Sequence, residues 1–147
     1  MSLSKRIGIF SVVVIITSAL DQLSKIWARL HFADGHRDEY FGGLFEMFLT
    51  HNSGAMLGLG GEMSDTLRFM IFIVGISIFL MVATWYGLTR FHSWLETACL
   101  ACLVSGGANN VYDRIMQDGL VTDFLFMNFG FIAHCSKNFK FSLSQIP

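Results

Sequence analysis

Residues 7–20 read IGIFSVVVIITSAL, and residues 21–25 follow as DQLSK. The first stretch is nearly pure Ile, Val, Phe, Ser and Ala, and the apolar pattern continues amphipathically through Leu23, Ile26 and Trp27. A helix needs roughly 20 mostly apolar residues to cross a bilayer core. The spacing therefore predicts a first membrane span over about 7–27. Lys5 and Arg6 ahead of this run also fit the n-region of a cleaved signal peptide, with 7–16 as its apolar core. Against that, no small-x-small cleavage site precedes Asp21 cleanly, and two further apolar runs follow.

The second run, 66–88, is dense in Phe, Ile and Met, with Trp85 and Tyr86 placed like interfacial anchors. The third, about 94–112, is rich in Ala, Gly, Cys and Ser, which suits close helix contact better than lipid. Composition agrees: 53% of the residues are hydrophobic and 14% charged, against ~25% charged in soluble domains. Mean hydropathy is +0.54. The length suits one domain, and the expected fold is an all-α membrane protein, a bundle of transmembrane helices. A net charge of −1 shows no footprint for nucleic acid. Three cysteines, Cys99, Cys102 and Cys135, make no disulfide framework, and Cys99 and Cys102 read as small helix-packing residues.

Lys5, Arg6 and Arg90 place the N-terminus and the loop after the second span on the cytoplasmic side by the positive-inside rule. Residues 31–65 then face outward. They carry Asp34, Asp38, Glu39, Glu46, Glu62 and Asp65 against Arg37 alone. Within them, 40–59 is glycine-rich and loosely alternating, a pattern of short strands and turns.

Several polar residues need explaining in such a chain. Asp21 and Lys25 stand at i and i+4, acid before base, the favourable order on one helix face. Each alone would cost roughly 2.5–3.5 kcal/mol at a helix centre, so they pair, snorkel or face protein. Asn52-Ser53-Gly54-Ala55 reads as a turn whose amide could also meet a peptide. The third span ends in Gly106-Gly107-Ala108-Asn109-Asn110-Val111-Tyr112-Asp113-Arg114, a capped helix end with an ion pair or part of a site. Beyond it, Asp123 stands between apolar neighbours in Val121-Thr122-Asp123-Phe124. Burial there would make it a candidate acid or base; otherwise it is a surface-loop aspartate.

In order, Asp21-Gln22-x-x-Lys25, Asn52-x-Gly54-Ala55, Gly106-Gly107-x-x-Asn110-x-x-Asp113-Arg114 and Val121-x-Asp123-Phe124 resemble the lipoprotein signal peptidases, or signal peptidase II. The resemblance covers residues 1–131. It implies four transmembrane helices with an outward-facing cradle of short strands, of which three spans are present here. It implies an aspartic endopeptidase of the bacterial inner membrane that needs no cofactor and no metal. Its partners would be the bilayer and prolipoproteins carrying diacylglyceryl on a cysteine, cut just before that cysteine. Asp123 matches one of the family's two catalytic aspartates. Asn52, Gly54, Asn110 and Arg114 would line or support the site, and Asp21, Lys25 and Asp113 would hold the scaffold.

The resemblance stops near residue 131. The family's second aspartate lies in a Phe-Asn-x-Ala-Asp pattern followed by a fourth helix, yet no Asp or Glu follows Asp123 here. Residues 132–147 form a polar, basic tail too short to span. A frameshift near codon 131 is the expected origin. A truncated relative that binds lipidated signal peptides without cutting, or a rearranged site using His134 or Cys135, are the alternatives. On the frameshift reading the chain lacks substantial peptidase activity. A small transporter subunit with Asp21 as its proton site is a further function, but it leaves Asn52, Asn110 and Arg114 without a role.

Overall fold

The computed structural model describes residues 1–54, 60 and 63–127. Each of the three apolar runs becomes helical. Helix α1, Leu3–His31, extends past both ends of the expected span. No proline interrupts it, and Arg29 and His31 in its last turn complement the negative end of the helix dipole. The second run is built of α2 (Asp65–Phe69), a π-helical segment (Met70–Gly75) and α3 (Ile76–Arg90). Ser64 caps its start, its hydroxyl accepting from the Leu67 N–H at 3.4 Å. Helix α4, Trp94–Met116, opens on a capping box between Ser93 and Glu96. The Glu96 carboxylate accepts from the Ser93 and His92 N–H groups, both at 3.1 Å.

Helix α1 and the stretch Asp65–Arg90 are long and apolar enough to cross a membrane. Their large apolar side chains point outward, with Ile15 67% and Trp85 69% exposed. Water would penalise such a surface at roughly 25 cal/mol per Å2. Lipid does not, so the outward apolar face suits a bilayer.

The third run was expected to be helical to about 112, and α4 carries it four residues further. Gly106 and Gly107 do not end α4; the helix runs through them to Met116. Packing explains the glycines. A Cβ on Gly107 would fall 2.9 Å from Leu80 Cδ2, and one on Gly87 would clash with Leu100 Cδ2. Helices α3 and α4 therefore approach each other across residues that have no side chain. The buried stripe of α4 includes Thr97, Ala101, Ser105, Asn109 and Asp113, every fourth residue, all of them small or polar. Cys99 and Cys102 lie off that stripe and are exposed, so the expectation that they pack between helices does not hold.

By contacts the described residues divide into two compact units, one within Met1–Trp27 and His51–Thr122, the other Ala28–Thr50 with residues 123–127. The first holds most of α1 and all of α2, α3 and α4. The second holds the end of α1, β1 (Asp38–Tyr40) and a 3-10 turn (Phe41–Gly43). It also holds most of β2 (Phe45–Asn52) and of β3 (Val121–Met127). The strands make one sheet in the order β1-β2-β3. Strand β1 pairs antiparallel with β2, Asp38 opposite Met47 and Tyr40 opposite Phe45.

Short strands were the expectation for 40–59; β2 meets it, β1 lies just ahead of that range and shares only Tyr40 with it, and residues 55–59 lie outside the described residues. Strand β3 was not anticipated. Its Phe126 ring stacks on Phe48 at 4.1 Å. Arg37 lies over the same Phe48 ring at 4.2 Å and pairs with Glu46 at 2.9 Å. The 132–147 tail also lies outside the described residues.

The two adjacent glycines of α4 make a controlled comparison. A Cβ on Gly106 would meet nothing within 4 Å, so Gly106→Ala is expected to be neutral or stabilising by up to about 1 kcal/mol. Gly107→Leu must displace Leu80 and is expected to cost about 1–3 kcal/mol. Thermal unfolding in detergent micelles checks this; equal effects would contradict the close α3–α4 contact.

Candidate functional site

Lys25 is the best-satisfied buried charge of the first unit. It is 5% exposed, and its ammonium has three acceptors for its three protons. These are Asp113 Oδ2 at 2.8 Å, Asp21 Oδ2 at 3.0 Å and Asn110 Oδ1 at 3.2 Å. Gln22 Nε2 adds donors to Asp113 Oδ1 and Asp21 Oδ2, each at 3.3 Å. Asp21, Gln22 and Lys25 come from the second half of α1, and Asn110 and Asp113 from the last turns of α4. The cluster thus ties two helices that are distant in sequence. Two turns earlier on α1, the Thr17 hydroxyl reaches Ser105 Oγ at 2.6 Å, a second polar tie between the same helices.

Asp113 and Arg114 were read as a neighbouring charge pair. Adjacent residues on a helix point about 100° apart, and the structure uses them for different partners. Asp113, 1% exposed, faces Lys25. Arg114, 7% exposed, turns toward the 52–54 segment, where its Nη2 donates to the Gly54 carbonyl at 2.8 Å. Its Nη1 donates to the Asn110 carbonyl at 3.3 Å, and its guanidinium lies over the Phe72 ring at 5.0 Å. Phe72 belongs to the π-helical segment, a wide turn of the kind often kept at functional sites.

Asn52 and Gly54 form the expected turn. The Asn52 Oδ1 accepts from the Gly54 N–H at 2.9 Å, which aims the Gly54 carbonyl for Arg114. Beside Arg114 and Phe72 opens a cavity of about 530 Å3. Phe69, Ile73 and Ile115 give it apolar walls, and Arg68 and Asp118 make it polar in part. Arg68 also pairs with Asp65.

The structure therefore brings Asp21, Lys25, Asn110 and Asp113 into one cluster and Asn52, Gly54 and Arg114 into another. Asn110 belongs to both, through its side chain and its carbonyl. Asp123 lies in the second unit, on β3 and half-buried. A strand holds it, not a surface loop. Sequence reasoning gave no role to Thr17, Ser105 or Phe72. A hydroxyl every few turns in an apolar run was the available signal for the first two; nothing in the sequence marks Phe72.

Outward-facing apolar helices closed around buried, hydrogen-bonded charges define a helical membrane protein with polar chemistry inside it. The comparisons narrow that class. The signal peptidase (SPase) II family matches over residues 13–142, and the chain belongs to that family. The match continues past residue 131, where the sequence pattern changes. A lipoprotein signal peptidase of Sulfurihydrogenibium sp. is 33% identical over 126 residues, covering 84% of this chain and 76% of the relative. That of Bifidobacterium adolescentis is 29% identical over 133 residues, covering 87% and 67%. That of Gloeobacter violaceus is 33% identical over 118 residues, covering 79% and 64%. The chain thus spans about two thirds of the length of the latter two. A solved bacterial membrane enzyme shares the fold, with a TM-score of 0.68 at 21% identity over 84% of this chain and 72% of that one.

Removing the central ammonium should be severe. Lys25→Met leaves two carboxylates facing each other, and an uncompensated buried charge costs about 3–5 kcal/mol. Asp21 has a side chain 31% exposed, so Asp21→Asn is expected to cost no more than about 1 kcal/mol. Thermal unfolding of the purified variants measures both. Comparable losses from the two substitutions would contradict the cluster's geometry.

Proposed function

We propose that this chain carries the substrate site and one catalytic carboxylate of a membrane aspartic endopeptidase of the lipoprotein signal peptidase type. Its substrate is a prolipoprotein carrying diacylglyceryl on a cysteine, and the bond addressed is the peptide bond before that cysteine. The chain sits in the bacterial inner membrane with its N-terminus cytoplasmic and α4 as a third span. Its working face is toward the outside. The observation that carries this reading is the seat of Arg114. A buried cation on a carbonyl and an aromatic ring, beside a 530 Å3 cavity with apolar walls, suits a ligand that is peptide at one end and hydrocarbon at the other.

The chemistry needs two carboxylates sharing one proton and one water. The ionised carboxylate takes a proton from the water as its oxygen attacks the scissile carbonyl carbon. The protonated partner polarises the carbonyl oxygen and then protonates the departing amine. Asp123 is the carboxylate this chain contributes. Asn52, Gly54, Asn110 and Arg114 support or line the substrate path, and Asp21, Lys25 and Asp113 hold the helices that carry them. Within the 147 residues no Asp or Glu follows Asp123, so these residues supply one carboxylate of the family's pair. This polypeptide is expected to bind lipidated prolipoprotein without cutting it.

Reconstitution in vesicles with a diacylglyceryl-modified prolipoprotein tests this. The 147-residue polypeptide should bind saturably and leave the substrate intact, and Arg114→Ala should weaken binding at least tenfold. Replacing residues 128–147 by the corresponding C-terminal region of the Sulfurihydrogenibium relative should restore cleavage. Asp123→Asn should then cost roughly 10^2–10^4-fold in rate. Cleavage by the unmodified polypeptide would overturn its inactivity. Failure of both binding and rescue would overturn the assignment.

A further inference from the structure

We propose that His31, His36 and Asp38 form a binding site for a divalent transition-metal ion of the zinc class, distinct from the peptidase residues. The three side chains each offer one ligand atom, and these atoms lie within 4.8 Å of one another. His36 Nε2 is 2.8 Å from Asp38 Oδ1, and His31 Nε2 is 3.8 Å from Asp38 Oδ2. Ligands at roughly 2.0–2.2 Å from a tetrahedral zinc stand about 3.3 Å apart. The observed separations bracket that value, so small rotations of the rings would admit an ion.

The surrounding structure holds the ligands in place. Phe32, 1% exposed, packs against both imidazoles. His31 meets it edge-on at 4.8 Å, and His36 lies stacked on it at 6.1 Å with an interplanar angle of 13°. Between the two histidines the chain reverses at Gly35, whose φ is +80° and whose N–H donates to the Phe32 carbonyl at 3.1 Å. Only a residue without Cβ takes that conformation without strain. The His36 N–H donates to Asp34 Oδ1 at 3.0 Å, which fixes the turn. Asp38 is held by strand pairing to Met47. Helix end, turn and strand thus each deliver one ligand.

Two imidazoles and one carboxylate are borderline ligands that suit Zn2+, and also Co2+, Ni2+ and Cu2+, over Mg2+ or Ca2+. Three protein ligands leave a position for water. The bound ion would pin the last turn of α1 to β1. All three groups are at least partly exposed, so an ion can reach them without unfolding.

The test uses the full chain in detergent micelles, purified without a polyhistidine tag and titrated with Zn2+ and with Co2+ alone. One Zn2+ per chain is expected, with Co2+ giving visible d–d absorption that Zn2+ displaces. His36→Ala and Asp38→Asn should each weaken binding at least tenfold while the far-ultraviolet dichroism stays that of the parent. Should His36→Ala fail to fold, His36→Asn takes its place. A Cys99→Ser, Cys102→Ser double variant should bind like the parent. No saturable binding by the parent would overturn the site and leave the three groups a bare hydrogen-bonded cluster. Binding that survives both ligand substitutions, or that disappears with the cysteines, would overturn it equally.

Discussion

The buried ammonium of Lys25, shared among Asp21, Asp113 and Asn110, is the constraint on which the helical unit depends. In hydrocarbon a charge must find partners or leave, and these partners come from two helices separated by most of the chain. Hydrophobic burial cannot order helices in lipid, because lipid is as apolar as the side chains. Hydrogen bonds and close packing do that instead. The Lys25 cluster and the Thr17–Ser105 bond fix α1 on α4, and glycines at positions 87 and 107 let α3 and α4 meet. The stripe of small and polar residues on α4 is the sequence form of the same rule.

From that frame the arrangement of Arg114 follows. Since Asp113 is committed to Lys25, the next residue is turned by the helix toward the 52–54 turn and the π-helical segment. Arg114 then collects the Gly54 carbonyl, the Asn110 carbonyl and the Phe72 ring. The scaffold cluster and the proposed substrate path are therefore adjacent residues of one helix, and Asn110 contributes to both. A small change in how α4 is held would be felt at Arg114. In the proposed peptidase reading, this is how a static ion cluster positions groups that meet substrate.

Much of this was legible in the sequence. The i, i+4 spacing of Asp21 and Lys25 offered their pairing as one reading, and the apolar runs marked the helices, two of which are long and apolar enough to cross a membrane. That Asp113 joins the pair was not legible, because a contact across about ninety residues leaves no periodic trace; the resemblance gave Asp113 only a scaffold role. The third span was expected to run through Gly106-Gly107 to about 112, and it does; what the sequence did not show is that Gly107 is there to admit Leu80. Strand β3 went unseen because the run VTDFLFM does not alternate cleanly. Its stacking of Phe126 on Phe48 is a long-range contact. The spacing of His31, His36 and Asp38 fits neither a helix nor a strand face, and only the turn at Gly35 brings them together.

The most direct measurement of the central claim is a double-mutant cycle between Lys25→Met and Asp113→Asn, read by reversible unfolding in micelles. If one buried ion pair joins α1 to α4, the two substitutions couple by about 2 kcal/mol or more, within the range for contacting groups. If their effects add to within about 0.5 kcal/mol, the two residues do not depend on each other, and the helices are held by something else.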